Sequence, residues 1–340
     1  MSKLPILITA RFDPKAVDIF AHRADADFQD WSKRERRGYT VDDLAPILKG
    51  KRIFVTEVDR VNDELLGRCP DLRVVISCRG SPVNVDIPAC TKRGVLVLNT
   101  PGRNAEGVAD LAIAGMLVLA RKIVPAAILT KQGGWATNQG SVYFGFQGSD
   151  LSDATVGLIG LGAVARGVAR RLHGFGSRIL SCDPYASDDI FKQHGVTRGD
   201  LATVLRQADF LSIHVHVTPE TKGMIGKAQF EMMKPSAFLI NTARSGVVDT
   251  EAMVAALKSL RIAGAFLDVY DKEPVAADNP LCALDNVVLT PHIGGSTPGQ
   301  TKEQSRIVAG QLVAILDGKQ PLHMANPEVA EKALKGLLQQ

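Results

Sequence analysis

Aromatic side chains are scarce in this chain: 340 residues hold two Trp, four Tyr and twelve Phe. That scarcity gives weight to residues 132–150, where Trp135, Tyr143, Phe144 and Phe146 gather in a Gly-rich stretch. Such clustering reads as an interface or as a loop anchored on its own core. Cysteine is also sparse. Cys69, Cys78, Cys90, Cys182 and Cys282 are odd in number and form no C-x-x-C pair. This suits reduced thiols in a cytoplasmic protein better than a disulfide framework. Charge of one sign is missing as well: 40 basic and 36 acidic side chains leave a net charge of +4. No nucleic-acid footprint is present. The densest basic stretch, residues 33–37, contains Glu35 and reads as a solvated loop. The longest apolar run, residues 111–120, is about half of a membrane span, so no membrane partner is expected. One Lys and seven residues before Arg11 are too short for a signal-peptide core and read as a first strand. Solenoid-period repeats and low-complexity segments are lacking.

What is present is alternation. Strand-like runs at residues 5–9, 52–56, 72–77 and 95–99 are separated by helical or turn-rich segments such as 14–23 and 42–48. Strands alternating with helices mean βαβ units and a parallel sheet, so the first hundred residues predict one α/β domain. Residues 104–130 then read as one long helix, with Asn104 as N-cap and Glu106 in the first turn. Its small and apolar faces predict a bridge between domains or a dimer interface. Beyond it, strands are expected at 154–159, 178–182, 210–215, 237–241, 263–267 and 286–289, and helices at 164–175, 201–207, 227–233 and 250–260. This is a second doubly wound domain. The amphipathic helix 297–316 cannot belong to that sheet and could return to the first domain.

The junction after residues 154–159 carries the most information. There the chain reads Gly160-x-Gly162-x-x-Ala165, passes into a helix, and reaches Asp183 at the end of the next strand, 21 positions after Gly162. Gly160 permits a sharp turn out of the strand, Gly162 permits close backbone approach to a pyrophosphate, and Ala165 permits close helix–strand packing. The helix N-terminus then offers free N–H groups and the positive end of a dipole. Asp183 can accept from a ribose diol and repels a 2′-phosphate, which favours NAD over NADP. The alternative for Asp183 is a turn former before Pro184.

Polar constellations close three further strands: Asn241-Thr242-Ala243-Arg244, then Asp268 with Asp271-Lys272-Glu273-Pro274, then Thr290-Pro291-His292-Ile293-Gly294-Gly295. Ligands in open α/β sheets sit beyond the carboxyl ends of strands. An Arg, a Glu and a His at one sheet edge suit hydride transfer at a hydroxyl-bearing carbon. Histidine can move the hydroxyl proton near neutral pH, a carboxylate beside it stabilises the imidazolium, and arginine offers a fork for a carboxylate.

Over residues 50–320 these motifs, with Thr218-Pro219-Glu220-Thr221, resemble those of the NAD-dependent D-2-hydroxyacid dehydrogenases. The resemblance implies an α/β fold of two doubly wound parallel-sheet domains. A Rossmann cofactor domain, residues 104–296, is inserted in a flavodoxin-like substrate domain, residues 1–103 and 297–340, and the active site lies in the cleft. It implies Arg244 on the substrate, His292 as acid/base and Glu273 as its partner. Asp268 would hold the nicotinamide carboxamide. Further cofactor contacts fall on Ala163, Val164, His214, Thr218, Thr242, Ala243 and Gly294, and residues 104–150 would build a homodimer. A carboxylate rather than an amide beside the His argues for a hydroxy acid and against formate.

The chain departs from the family pattern in three places. The loop that receives the substrate carboxylate reads Arg79-Gly80-Ser81-Pro82-Val83, with Arg79 and Ser81 at positions usually held by glycine. These could add an anion or hydroxyl contact suited to a longer acid. The alternative is an Arg79 that points to solvent. His214 and His216 alter the adenosine side of the pocket, and with no third ligand beside them no metal is expected. Ala165 replaces the commoner Gly. Rivals within the family are phosphoglycerate-dehydrogenase-like and glyoxylate/hydroxypyruvate reductase activities. With Gln340 shortly after the return helix, the extra regulatory domain of some phosphoglycerate enzymes is not expected, although shorter forms of those enzymes exist. An NAD-sensing binding protein, like the corepressors that resemble this family, is the rival of another class.

Overall fold

The computed structural model describes residues 3–137 and 139–338. The chain divides into two compact units, one drawn from both chain ends (up to Asn104 and from Thr297) and the other spanning Ala105–Ser296.

The first unit holds a parallel sheet of β1 (Leu4–Ile8), β2 (Ala24–Phe28), β3 (Ile53–Thr56), β4 (Val74–Ser77) and β5 (Leu96–Asn99). Their order is β2-β1-β3-β4-β5, a doubly wound arrangement. β3 and β4 are buried along their whole length, as strands covered on both faces must be. Ile6, Ile53, Val74 and Leu96 pack on one face with Val308, Leu312 and Ile315 of the helix Pro298–Leu316. Leu7, Phe54, Val75 and Val97 pack on the other with Leu44 and Leu65. The returning helix is therefore core to this unit. Thr297 caps it by accepting from Gln300 N, and Pro298 occupies the first turn, where its missing N–H costs nothing.

β2 was missed by the sequence reading, because Ala24-Asp25-Ala26-Asp27-Phe28 carries two acids and is an edge strand buried mainly at Ala24. The basic stretch is solvated as expected, residues 33 and 35–37 being exposed, and two of its side chains rest on rings. Arg34 stacks on Tyr39 at 3.9 Å, and Arg37 lies over Trp31 at 5.9 Å.

The second unit is a seven-stranded parallel sheet: β6 (Thr155–Ile159), β7 (Arg178–Cys182), β8 (Thr197–Arg198), β9 (Phe210–Ile213), β10 (Phe238–Asn241), β11 (Gly264–Leu267) and β12 (Val287–Leu289). The order β12-β11-β10-β9-β6-β7-β8 reverses direction between β6 and β9. That reversal is the switch point at which open α/β sheets bind ligands. Two-residue β8 was not anticipated.

The helix expected over 104–130 is broken in two, Ala105–Ala120 and Ile123–Lys131, bent by 63°. Lys122, with φ at 51°, makes the break. Ala105–Ala120 buries Ala109, Ala112, Ile113 and Met116 under the sheet. Gly115 has no room for a side chain, since a Cβ would stand 2.5 Å from Phe266. Residues 132–150 hold two short helices, Gly134–Thr137 and Gln139–Gly145, rather than a loop. Among the described residues no single helix is long and apolar enough to cross a membrane.

Candidate active site

At the switch point, β6 leaves into Gly160, whose φ of +90° is costly for any residue with a side chain. A Cβ there would also meet Val215 at 2.7 Å and the His214 carbonyl at 3.1 Å. Gly162 is the N-cap of the helix Ala163–Phe175 and supplies no side-chain cap, so the first N–H groups stay available. Nothing lies within 4 Å of where its Cβ would be. Ala165 is fully buried against the sheet.

Asp183 follows β7 and faces the same turn. Its Oδ2 accepts from Leu161 N at 2.7 Å, and Oδ1 accepts from Tyr185 N at 2.8 Å and Ala186 N at 3.1 Å. The carboxylate thus fixes the glycine turn and its own turn together. Two buried polar atoms here have no hydrogen-bond partner among the described residues: His214 Nδ1 after β9 and Thr242 Oγ1 after β10. Burial pushes the His214 pKa down to about 3, so the ring is neutral, and Ser212 Oγ lies 2.9 Å from its Nε2. An open glycine turn, uncapped N–H groups and orphaned polar atoms along one sheet edge are what a dinucleotide would satisfy. Thr218 lies outside this buried set, in an exposed turn where its N–H donates to Thr221 Oγ1 at 2.8 Å.

Three loops after β10, β11 and β12 carry the reactive groups. Asn241 makes the first: its Oδ1 accepts from Ala243 N at 3.1 Å, and its Nδ2 donates to the Arg244 carbonyl at 3.0 Å. This tight turn presents Arg244, which is exposed and donates to the Ala243 carbonyl at 2.6 Å.

In the second and third loops, His292 Nδ1 and Glu273 Oε2 stand 2.7 Å apart. The other carboxylate oxygen of Glu273 accepts from Tyr270 N at 3.1 Å, so the acid is itself oriented. His292 sits at φ 54°, a region that costs a non-glycine residue about 1–3 kcal/mol. Asp268, 1 % exposed, holds that turn. Its Oδ1 accepts from Thr290 Oγ1 at 2.6 Å and Ile293 N at 2.8 Å, and its Oδ2 accepts from Gly294 N at 2.8 Å. Hydrogen bonds to a charged group contribute about 1.5–3 kcal/mol each, enough to offset the strained backbone. Tyr270 adds a second tie, its one hydroxyl proton shared between the Thr290 carbonyl at 2.8 Å and the Leu267 carbonyl at 3.1 Å. Burial, then Asp268, raises its pKa to about 12.

The positioning roles of Asn241 and Tyr270 and the loop-holding of Asp268 were not seen in the sequence. The only signal there is a polar residue at the last or next position of a buried strand. The structure joins Glu273 to His292 and Asp268 to Gly294. It places Arg244 on a neighbouring strand end without a direct bond to either pair.

In the first unit, Arg79 is half-buried rather than pointing to solvent. Its Nε donates to the Glu57 carbonyl at 2.8 Å. Gly80 is pinned through its carbonyl, which accepts from Asn99 Nδ2 at 2.5 Å, and Ser81 O accepts from Val83 N at 2.9 Å.

Residues 113–294 match the family model of the D-isomer specific 2-hydroxyacid dehydrogenase NAD binding domain. The chain belongs to this family. It is 39 % identical over 272 residues to a glyoxylate reductase of Thermococcus litoralis, covering 80 % of this chain and 82 % of the relative. It is 40 % identical over 275 residues to a D-3-phosphoglycerate dehydrogenase of Archaeoglobus fulgidus, covering 81 % of this chain and 51 % of the relative. Among solved structures, D-mandelate dehydrogenase of Rhodotorula graminis superposes with a TM-score of 0.81 at 25 % identity, covering 95 % of this chain and 98 % of that one. This dehydrogenase is an NAD-dependent oxidoreductase acting on the CH–OH group of 2-hydroxy acids.

Proposed function

We propose that Arg244, Glu273 and His292 are the catalytic residues of a D-2-hydroxyacid dehydrogenase that interconverts a small 2-keto acid and its hydroxy acid. The observation that carries this reading is the 2.7 Å pair of His292 Nδ1 and Glu273 Oε2 at the carboxyl edge of the cofactor-domain sheet. With Nδ1 committed to the carboxylate, Nε2 is the nitrogen left to exchange a proton with the substrate oxygen. Glu273 stabilises the imidazolium, and Arg244 offers two parallel N–H groups to the substrate carboxylate or carbonyl. A bound NAD would supply the hydride acceptor or donor for C2. Gly160, Gly162, Ala163, Val164 and Asp183 would hold it at the helix N-terminus, and His214, Thr218, Thr242, Ala243, Asp268 and Gly294 would hold the rest of it. Backbone N–H groups of Gly80 and Ser81, with Arg79, serve the acid. The relatives' names make glyoxylate- and phosphoglycerate-type acids the first candidates.

The arm beyond Ala120 pairs with a second copy of the chain. Ile128, Trp135, Tyr143 and Phe144 are 50–79 % exposed, in a chain with few aromatics to spare. Leaving such an apolar patch in water is unfavourable, and a partner that covers it removes that cost. A cytoplasmic setting agrees with five free cysteines.

The test is NADH oxidation followed with glyoxylate, pyruvate, hydroxypyruvate and phosphohydroxypyruvate, with NADPH in parallel. Turnover of at least one acid with NADH is expected. NADH binding without turnover of any acid would overturn the reading.

A further inference from the structure

Every strand of the first sheet ends in a residue that joins one polar cluster. Arg11 follows β1, Trp31 follows β2, Glu57 follows β3, Arg79 follows β4 and Arg103 follows β5. Glu57 is the hub, 3 % exposed. Arg11 grips it with two bonds, Nη2 to Oε1 at 2.7 Å and Nε to Oε2 at 3.1 Å. Trp31 Nε1 donates to Oε2 at 3.0 Å, and Arg103 Nη1 stands 3.6 Å from Oε1. Arg79 holds the Glu57 carbonyl. Three guanidinium groups thus gather on Glu57: Arg11 and Arg103 at its buried carboxylate and Arg79 at its backbone carbonyl.

Glu57 is a tether for these cations rather than their full counter-charge. Burial, the largest cause, raises its pKa, but the Arg11 and Trp31 hydrogen bonds and the charges of Arg11 and Arg103 together outweigh it, and the net shift is downward, so it stays ionised. Arg103 moves in the unfavourable direction. Burial, the largest cause, lowers its pKa; Glu57 opposes this, Arg79 and Arg11 add smaller lowering effects, and the net shift is downward. Two other acids lie close. Asp59 is consumed by Thr9 Oγ1, Thr56 Oγ1 and Tyr39 N, and Asp30 caps the turn at Ser32. In the segments that follow the five strands (9–13, 29–39, 57–61, 78–82 and 100–104), basic side chains outnumber acidic ones. The exposed Arg37 adds to that excess from above Trp31.

We propose that this edge is an anion site that selects 2-keto acids carrying a second acidic group, a phosphate or a distal carboxylate. The proposal rests on the dehydrogenase reading above. Guanidinium forks held in place by a buried carboxylate bind such groups bidentately and lose little freedom in doing so. The carboxyl edge of a doubly wound sheet is where a ligand is expected.

The test compares kcat/KM for matched pairs: phosphohydroxypyruvate against hydroxypyruvate for the phosphate source, and 2-oxoglutarate against 2-oxopentanoate for the carboxylate source. Wild type is expected to favour the acid-tailed member of at least one pair by about tenfold or more, and added salt should erode that preference. Which pair shows it names the anion. Arg79→Gln and the paired change Arg11→Gln with Glu57→Gln should bring the ratio close to one. The exposed Arg37→Gln, which leaves the core intact, should lower it by a smaller factor. Equal or better use of the neutral-tailed acids by wild type would overturn the anion site and leave the dehydrogenase reading standing. Failure of every acid, with NADH bound, would overturn both.

Discussion

Asp268 accepts the backbone N–H of Gly294 at 2.8 Å, so the turn bearing His292 hangs from the residue that follows β11. A carboxylate accepting from Ile293 N, Gly294 N and Thr290 Oγ1 restrains a backbone that the φ of 54° at His292 disfavours. Asp268→Asn keeps the shape but replaces one acceptor oxygen by a donor amide that faces an N–H group. This variant should lower kcat by about 10- to 100-fold, as displaced catalytic groups do, while the protein remains folded by circular dichroism. Unchanged kcat would show that the turn holds itself.

His214 sets a pH dependence of stability. Its folded-state pKa is about 3, against about 6.5 in an unfolded chain. Between those values the unfolded chain binds the extra proton, so unfolding becomes easier as pH falls from about 6.5 towards 3. The contribution is fully present above pH 7. His214→Gln should lose less stability than wild type between pH 7 and pH 4.5, measured by urea midpoints of the cofactor-free protein. Parallel losses in both would contradict the burial of the neutral ring.

Asp183 holds Leu161 N, and in the proposed function it also meets the cofactor ribose. Asp183→Ala should raise the KM for NADH by about tenfold and narrow the gap between NADH and NADPH, since the charge that repels a 2′-phosphate is gone. Steady-state kinetics with both cofactors at one acid concentration decides it. A retained preference for NADH would place the discrimination elsewhere.

Much of this was legible in the sequence, and the reasons are physical. Buried parallel strands are apolar along their length, so β3, β4, β9 and β10 stood out. The glycine turn was legible because few residues survive a φ of +90° beside Val215. The edge strand β2 was not, since its two acids break the apolar pattern. The long helix read as continuous although Pro125, three residues past the left-handed Lys122 and in the first turn of the second helix, was the signal of a break. Glu273 and His292 could be picked out by type, but their 2.7 Å contact spans loops after different strands. The Glu57 cluster was invisible, because each member sits on a separate strand end and only the sheet brings them together.

The exposed arm gives a prediction about assembly. Tyr143 and Phe144 are 79 % and 74 % exposed and stack edge-to-face at 5.3 Å. Tyr143→Asp with Phe144→Asp should convert a dimer of the wild-type chain into a monomer by light scattering. A wild-type chain that is itself monomeric at micromolar concentration would refute the pairing.

The central claim is that His292 moves the proton that accompanies hydride transfer. The most direct measurement is kcat for keto acid reduction by His292→Ala beside its affinity for NADH by fluorescence titration. A loss of about 100-fold or more in kcat is predicted, the range for removal of a general acid, with NADH affinity within about twofold of wild type. Normal turnover by His292→Ala would contradict the assignment and with it the role of Glu273.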